Sequence, residues 1–164
     1  MSFAARWVRL APVAEEGGRQ AIYAALAAGQ DAAAPPILVW VQGDARHDFA
    51  LLIPRRLAPG RQQRWAAWAL SPALATCRYF GLPAYLSDGD LWLHGRPFAH
   101  SSTEMIGDWI VIACAMTIPF PVERHVEDLF RLRIEAQHDW RFETSWPTPA
   151  EADAIAEARS EFAW

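Results

Sequence analysis

Apolar residues return along this chain in two rhythms. Short runs closed by Gly, Pro or Asp alternate with stretches in which apolar positions recur every three or four residues, so strands and amphipathic helices are predicted to interleave. Residues 19–28 are rich in strong helix formers, follow Glu15, Glu16, Gly17 and Gly18, and meet a stop at Gly29; they predict a helix. After Pro35 and Pro36 the run from Ile37 to Gln42 is bounded by Gly43 and Asp44, and residues 49–53 are closed by Pro54. Both predict strands, and the short polar segment between them fits an antiparallel connection. Trp65, Trp68, Ala69, Leu74, Ala75 and Tyr79 recur at helical intervals within residues 61–80. Pro72 predicts a kink or interruption near Ser71, and Gly81 supplies the stop.

A short strand is expected at residues 82–86. The residues DLWL from Asp90 and RPFA from Arg96 flank His94 and Gly95, a pattern for a hairpin turning at Gly95, with Pro97 placed where its missing N–H does not break a ladder. Residues 108–118, DWIVIACAMTI, are the longest apolar run; their β-branched residues favour a central strand buried on both faces, ended by Pro119 and Pro121. Val126, Leu129, Phe130 and Ile134 make residues 122–137 an amphipathic helix. Thr148 is positioned to cap a last helix, with Pro149 first in it and Glu151 three residues after the cap. No repeat is visible, and the one biased stretch is alanine-rich, at residues 31–34. The element order predicts an α+β fold: a mixed, mainly antiparallel sheet with residues 108–118 near its centre and helices packed largely on one face.

Composition narrows the function classes. The 164 residues are 52% hydrophobic and 21% charged, enough to bury one core, so a single domain over residues 1–164 is expected. No apolar run reaches the roughly 18 residues of a membrane span. The net charge is −4 and the 15 basic residues are scattered, which argues against a nucleic-acid or membrane-surface partner. All 15 are arginine. The absence of lysine fits a general bias toward Ala, Arg, Pro and Trp, and it excludes every mechanism that needs a lysine of this chain. Nine tryptophans are expected mostly as core or rim anchors. Cys77 and Cys114 have no metal spacing and read as free buried thiols in a reducing compartment; residues 1–12 lack the apolar core of an export signal, so the cytoplasm is the expected location.

Single residues offer little chemistry. The five histidines find no carboxylate or thiol at ligand spacing, so no metal is expected. His47-Asp48 and His138-Asp139 are neighbours whose side chains leave a strand on opposite faces, which makes neither a ready dyad. Cys114 lies within an apolar strand with no local base, and reads as a core thiol rather than a nucleophile. No nucleophile elbow, phosphate loop or dinucleotide fingerprint is present, and no cofactor is expected.

The segment DLWLHGRPFA, followed after nine residues by WIVIACAMTI, resembles the centre of the biotin and lipoate protein ligase catalytic domain. In that family an Asp opens a strand, a Gly-Arg-Lys-type turn leads into a second strand, and a long strand carries two glycines and an asparagine. The alanine-rich helix ending at Gly29, the strands at residues 36–40 and 47–53, and a helix closing at Gly81 follow a similar order, so the resemblance covers about residues 18–135. It implies the family's fold and a cleft touching Asp90, Arg96, Ala113, Ala115, Thr117 and His47. The family joins a carboxylate to ATP and passes the acyl group to a carrier lysine. Here Pro97 stands where the turn lysine belongs, Ala113 and Ala115 replace the glycines, and Thr117 replaces the asparagine. The Lys-Trp-Pro-Asn motif expected before Asp90 is Leu86-Ser87-Asp88-Gly89, and the glycine-rich nucleotide loop is missing between Trp40 and Phe49. The resemblance with these departures implies a catalytically degenerate ligase-like domain that binds a small carboxylate or acyl ligand, or a protein partner. Two alternatives stand beside it: an active ligase or acyltransferase using Arg96, with Cys114 as acyl acceptor, and an assembly module whose exposed tryptophans bury an interface. If the alanines replace ligand-facing glycines, both face the remnant of the cleft; otherwise both methyls fill core space.

Overall fold

The computed structural model describes residues 3–13, 16–42, 46–117 and 126–161. Strands β1 (Phe3–Leu10), β2 (Ile37–Gln42), β3 (Arg46–Pro54), β4 (Tyr85–Ser87), β5 (Asp90–Leu93), β6 (Arg96–Ile106), β7 (Trp109–Thr117) and β8 (Trp140–Ser145) form one sheet. Its order is β4-β5-β6-β7-β3-β2-β1-β8. β1 runs parallel to both β2 and β8, and every other pair is antiparallel, so the sheet is mixed and mainly antiparallel.

Helices α1 (Glu16–Ala28), α2 (Trp65–Tyr79), α3 (Val126–His138) and α4 (Pro149–Ser160) cover both faces of this sheet. This corrects the expectation of one helical face. Ile22, Tyr23 and Leu26 of α1 and Ile155 of α4 pack with Ala50, Leu52, Val111 and Ala113. On the other side Trp65, Ala69 and Leu70 of α2 and Phe130 and Ile134 of α3 pack with Phe49, Leu51, Ile110 and Ile112. Alternate residues of β3 and β7 thus serve two cores, which is why these strands read as unbroken apolar runs rather than as alternation. Aromatic stacking stiffens the α2–α3 side, where Trp40 lies 5.7 Å from Trp7 and 6.0 Å from Phe49 between ring centroids.

Most predicted elements are present with small shifts. The hairpin turns at His94 and Gly95, both at positive φ (52° and 77°), the backbone that a tight two-residue turn requires. α2 contains Pro72 within one helical span, without the interruption expected near Ser71. The short strand expected at residues 82–86 falls at Tyr85–Ser87. Thr148 accepts from the Glu151 N–H while the Glu151 carboxylate accepts from the Thr148 N–H, completing the capping box. Ile118 and residues 122–125, included in the predicted strand and helix, lie outside the described residues.

β1 and β8 were not predicted, and the structure ties them in through charge. Arg6 on β1 donates to both oxygens of Glu151, at 2.9 and 2.8 Å, and Gln30 donates to the same carboxylate at 2.7 Å. Burial raises the Glu151 pKa, but these bonds and the cap outweigh it and hold the group down at about 2. The end of α3 is neutral instead. His138 stacks on Trp68 with centroids 4.1 Å apart, and burial lowers its pKa from 6.5 to about 4. Below pH 6.5 the unfolded chain takes up this proton while the folded chain does not, so stability falls as the pH drops toward 4. His138→Phe, which keeps the stack, is expected to remove about 2 kcal/mol of the stability lost between pH 7 and pH 4, measured by urea unfolding at both values.

Candidate functional site

The register of the sheet lines up a row of side chains across four strands. Asp90 on β5 opposes His100 on β6, His100 opposes Ala115 on β7, and Ala115 opposes Asp48 on β3. Directly paired residues share a face, so all four lie on the α1 side, the same side as Ala113. Adjacent strands are about 4.8 Å apart, which leaves roughly 10 Å between the His100 and Asp48 positions with only the Ala115 methyl between them. One turn of α1 stands above this gap, presenting Arg19, Gln20 and Tyr23.

Asp48 and Arg19 are 5% and 4% exposed and form an ion pair at 3.3 Å. Arg46 approaches the other carboxylate oxygen at 3.4 Å. Burial nevertheless raises the Asp48 pKa, against the pull of Arg19 and Arg46, which marks this as a charge held in the interior at a cost. Arg19 also donates to the Val13 carbonyl at 2.8 Å. Gln20 donates to the Ser102 hydroxyl at 3.2 Å, and the His100 imidazole lies 3.4 Å from Asp90. Tyr23 is 2% exposed and its hydroxyl has no hydrogen-bond partner among the described residues. Burial pushes that phenol above its ordinary range, with the Asp48 charge adding to the effect. A cavity of about 40 Å³ remains, bounded by Arg19, Gln20, Tyr23, His100, Ala113 and Ala115.

The sequence candidates divide around this row. Ala113 and Ala115 share the face that borders the cavity, while Asp90 lies two strands from Ala115 on that face, beside His100. Thr117, opposite Arg46, continues the same parity at the exposed end of β7. His47 is one residue from Asp48 and therefore on the other face, its ring tilted at 48° to Trp40 with centroids 5.5 Å apart, where burial lowers its pKa. Arg96 is exposed at the hairpin end opposite Leu93, three residues along β5 and of opposite parity to Asp90. Cys114 packs with the α2–α3 core, and burial pushes its thiol up, so the nucleophile reading has no support in its surroundings. Among the described residues no group of three or more His, Cys, Asp or Glu side chains is placed to hold a metal ion.

Arg19, Gln20, Tyr23, His100 and Ser102 were not singled out from the sequence. Arg19 and Tyr23 are four residues apart on one helix face, a visible signal, but which strands lie under that face is a tertiary matter.

Among the described residues, removing Arg19 leaves Asp48 with the half-exposed Arg46 as its ion-pair partner. Arg19→Leu is expected to cost about 3 kcal/mol in urea unfolding at pH 7, and adding Asp48→Ala should recover most of that loss. A double-variant cost equal to the sum of the Arg19→Leu and Asp48→Ala costs would show that the pair is not coupled.

No protein-family model matches the sequence, and no curated protein matches it. Solved structures do match. The chain superposes on a bi-partite lipoate protein ligase from Thermoplasma acidophilum, studied with its E2 lipoyl domain, with a TM-score of 0.79 at 10% identity over 97% of this chain and 93% of that one. A lipoate-protein ligase A bound with ATP matches with a TM-score of 0.79 at 10% identity, covering 96% and 95%. The biotin acetyl coenzyme A carboxylase synthetase of Helicobacter pylori, bound to biotinylated ATP, gives 0.58 at 12% identity over 98% and 81%. The mixed eight-stranded sheet with its four helices is thus the α+β fold of the biotin and lipoate protein ligase catalytic domain.

Proposed function

We propose that the chain works as one catalytically degenerate ligase-like domain, which binds a small acyl-type carboxylate without activating it. The observation that carries this reading is the closed cleft face. A buried Arg19–Asp48 pair and the Ala113 and Ala115 methyls reduce the space above the row to about 40 Å³. Adenylation needs a cation beside the reacting carboxylate and phosphate oxygens. The sequence has no lysine to supply it, Pro97 offers neither charge nor N–H, and Arg96 sits at the hairpin end across the sheet from Asp90. Both cysteines are free, which supports a reducing compartment such as the cytoplasm. No described helix is long and apolar enough to cross a membrane.

A second reading, a surface for a protein partner, is favoured by Trp146. It is 83% exposed and flanks a groove of about 530 Å³ lined in part by Trp7, Leu10 and Arg131. A domain used only in this way would bind none of the acids below.

Incubated with ATP and lipoate, biotin or octanoate, the protein is expected to release no pyrophosphate above background. Turnover that disappears in Arg96→Ala would show that arginine has taken the cation's role, and would overturn the degenerate reading.

A further inference from the structure

We propose that the chain pairs with a second copy of itself along the outer edge of β8, antiparallel about a two-fold axis at Phe142, so that Arg141 of each copy faces Glu143 of the other. The inference is independent of what the cleft binds.

The first observation is an open edge. β8 ends the sheet and pairs only with β1 among the described residues. The Phe3 N–H donates to the Asp139 carbonyl, so in this parallel ladder residues 141 and 143 turn their backbone groups toward β1. Trp140, Phe142 and Thr144 therefore turn theirs outward. The Phe142 carbonyl accepts from Arg131 at 2.8 Å, and no other outward backbone group of these three residues has a hydrogen-bond partner among the described residues. A carbonyl has two lone pairs, so the arginine leaves it able to accept a second donor. The strand carries neither proline nor bulge, two of the means by which natural sheets refuse a further strand. The opposite edge is blunted by its length, because β4 has only three residues.

The second observation is charge. Arg141 and Glu143 are both exposed and project from the same face of β8. Neither has an ion-pair partner among the described residues. Arg6 lies beside Glu143 on β1, but its guanidinium is committed to Glu151. Two opposite charges thus stand side by side at the edge, each without a match.

The third is register. Outward-facing residues must meet outward-facing residues. With Phe142 opposite Phe142 of the second copy, Trp140 meets Thr144 in both directions and the whole outer edge is used. Arg141 then falls directly opposite Glu143, twice over. Sliding the pair by two residues in one direction sets Arg141 against Arg141, and in the other Glu143 against Glu143. Like charges directly opposed destabilise a strand pair and unlike charges stabilise it, so one register satisfies backbone and charge together. It is also isologous and closes at two copies. Trp146, largely exposed just past the end of β8, comes opposite the residues that lead into the second copy's β8, which gives that indole a surface to cover.

The test is sedimentation velocity of the full chain from about 5 to 200 µM, where a reversible monomer–dimer equilibrium is expected because a strand pair buries less than a permanent interface. Arg141→Glu and Glu143→Arg each oppose like charges at two places, and each should weaken the dimer at least about tenfold. An equimolar mixture of the two variants should restore it as a heterodimer, identified by native mass spectrometry, because only the mixed pair has unlike charges at both places. Both substitutions in one chain should restore the homodimer. Thr144→Pro removes an outward N–H without touching the β1 ladder, and should weaken the dimer about tenfold with the circular dichroism spectrum unchanged. A chain that stays monomeric throughout this range overturns the inference and leaves the edge to a different protein. A dimer that neither charge variant weakens overturns it too, as does a mixture of the two variants that stays monomeric.

Discussion

Burial of β3 and β7 on both faces is the constraint from which the rest follows. A strand pressed between two helical layers has no solvent face, so each polar side chain on it must meet a partner or a ligand. Along most of their length these strands meet the requirement with Phe, Leu, Ile, Val and Ala. The exceptions gather at one end, where His47 and Asp48 enter β3 opposite the last residues of β7. His47 is accommodated as a neutral ring against Trp40. Asp48, on the other face, is accommodated as an ion by Arg19 and Arg46. The candidate site is the consequence of that second solution.

The same solution limits the chemistry. An acyl-adenylating cleft must admit a long acyl chain and a nucleotide, and must set a mobile cation against the oxygens that react. Here the buried cation of α1 is already committed to Asp48, and the floor carries methyl groups where bare backbone would let a ligand approach most closely. What remains is a small space bounded by Arg19, Gln20, Tyr23, His100 and the two methyls. At about 40 Å³ it has room for only a few water-sized groups.

The two strands absent from the sequence reading share a cause. β1 and β8 are joined by a parallel pairing of residues 137 positions apart in the chain, and neither is flanked by a turn that announces it. Their charged positions broke the apolar pattern: Arg6 and Arg9 made the N-terminal stretch look irregular, and Arg141 and Glu143 did the same in β8. Arg6 finds its partners only in the folded chain, where it donates to Glu151 of α4, to the Ser145 hydroxyl and to the Trp146 carbonyl. The number of helical layers was missed for a related reason. A continuously apolar β7 showed that both faces are covered, but not that the helices divide between them.

From the sequence alone the chain was legible as an α+β domain with a doubly buried central strand, a His94-Gly95 hairpin, a capped last helix and no lysine chemistry. These features depend on residue type, period and local backbone geometry, all of which act over a few neighbouring positions. The pairing of Ala113 with Ala115 on one face was legible too, because strand periodicity requires it. Only the tertiary structure decided that α1 lies over that face, that Arg19 rather than Arg96 is the cation there, and that His47 belongs to the opposite core. Those outcomes depend on which distant segments meet and in which register, and a one-residue step in register exchanges every side chain between the two faces of the sheet.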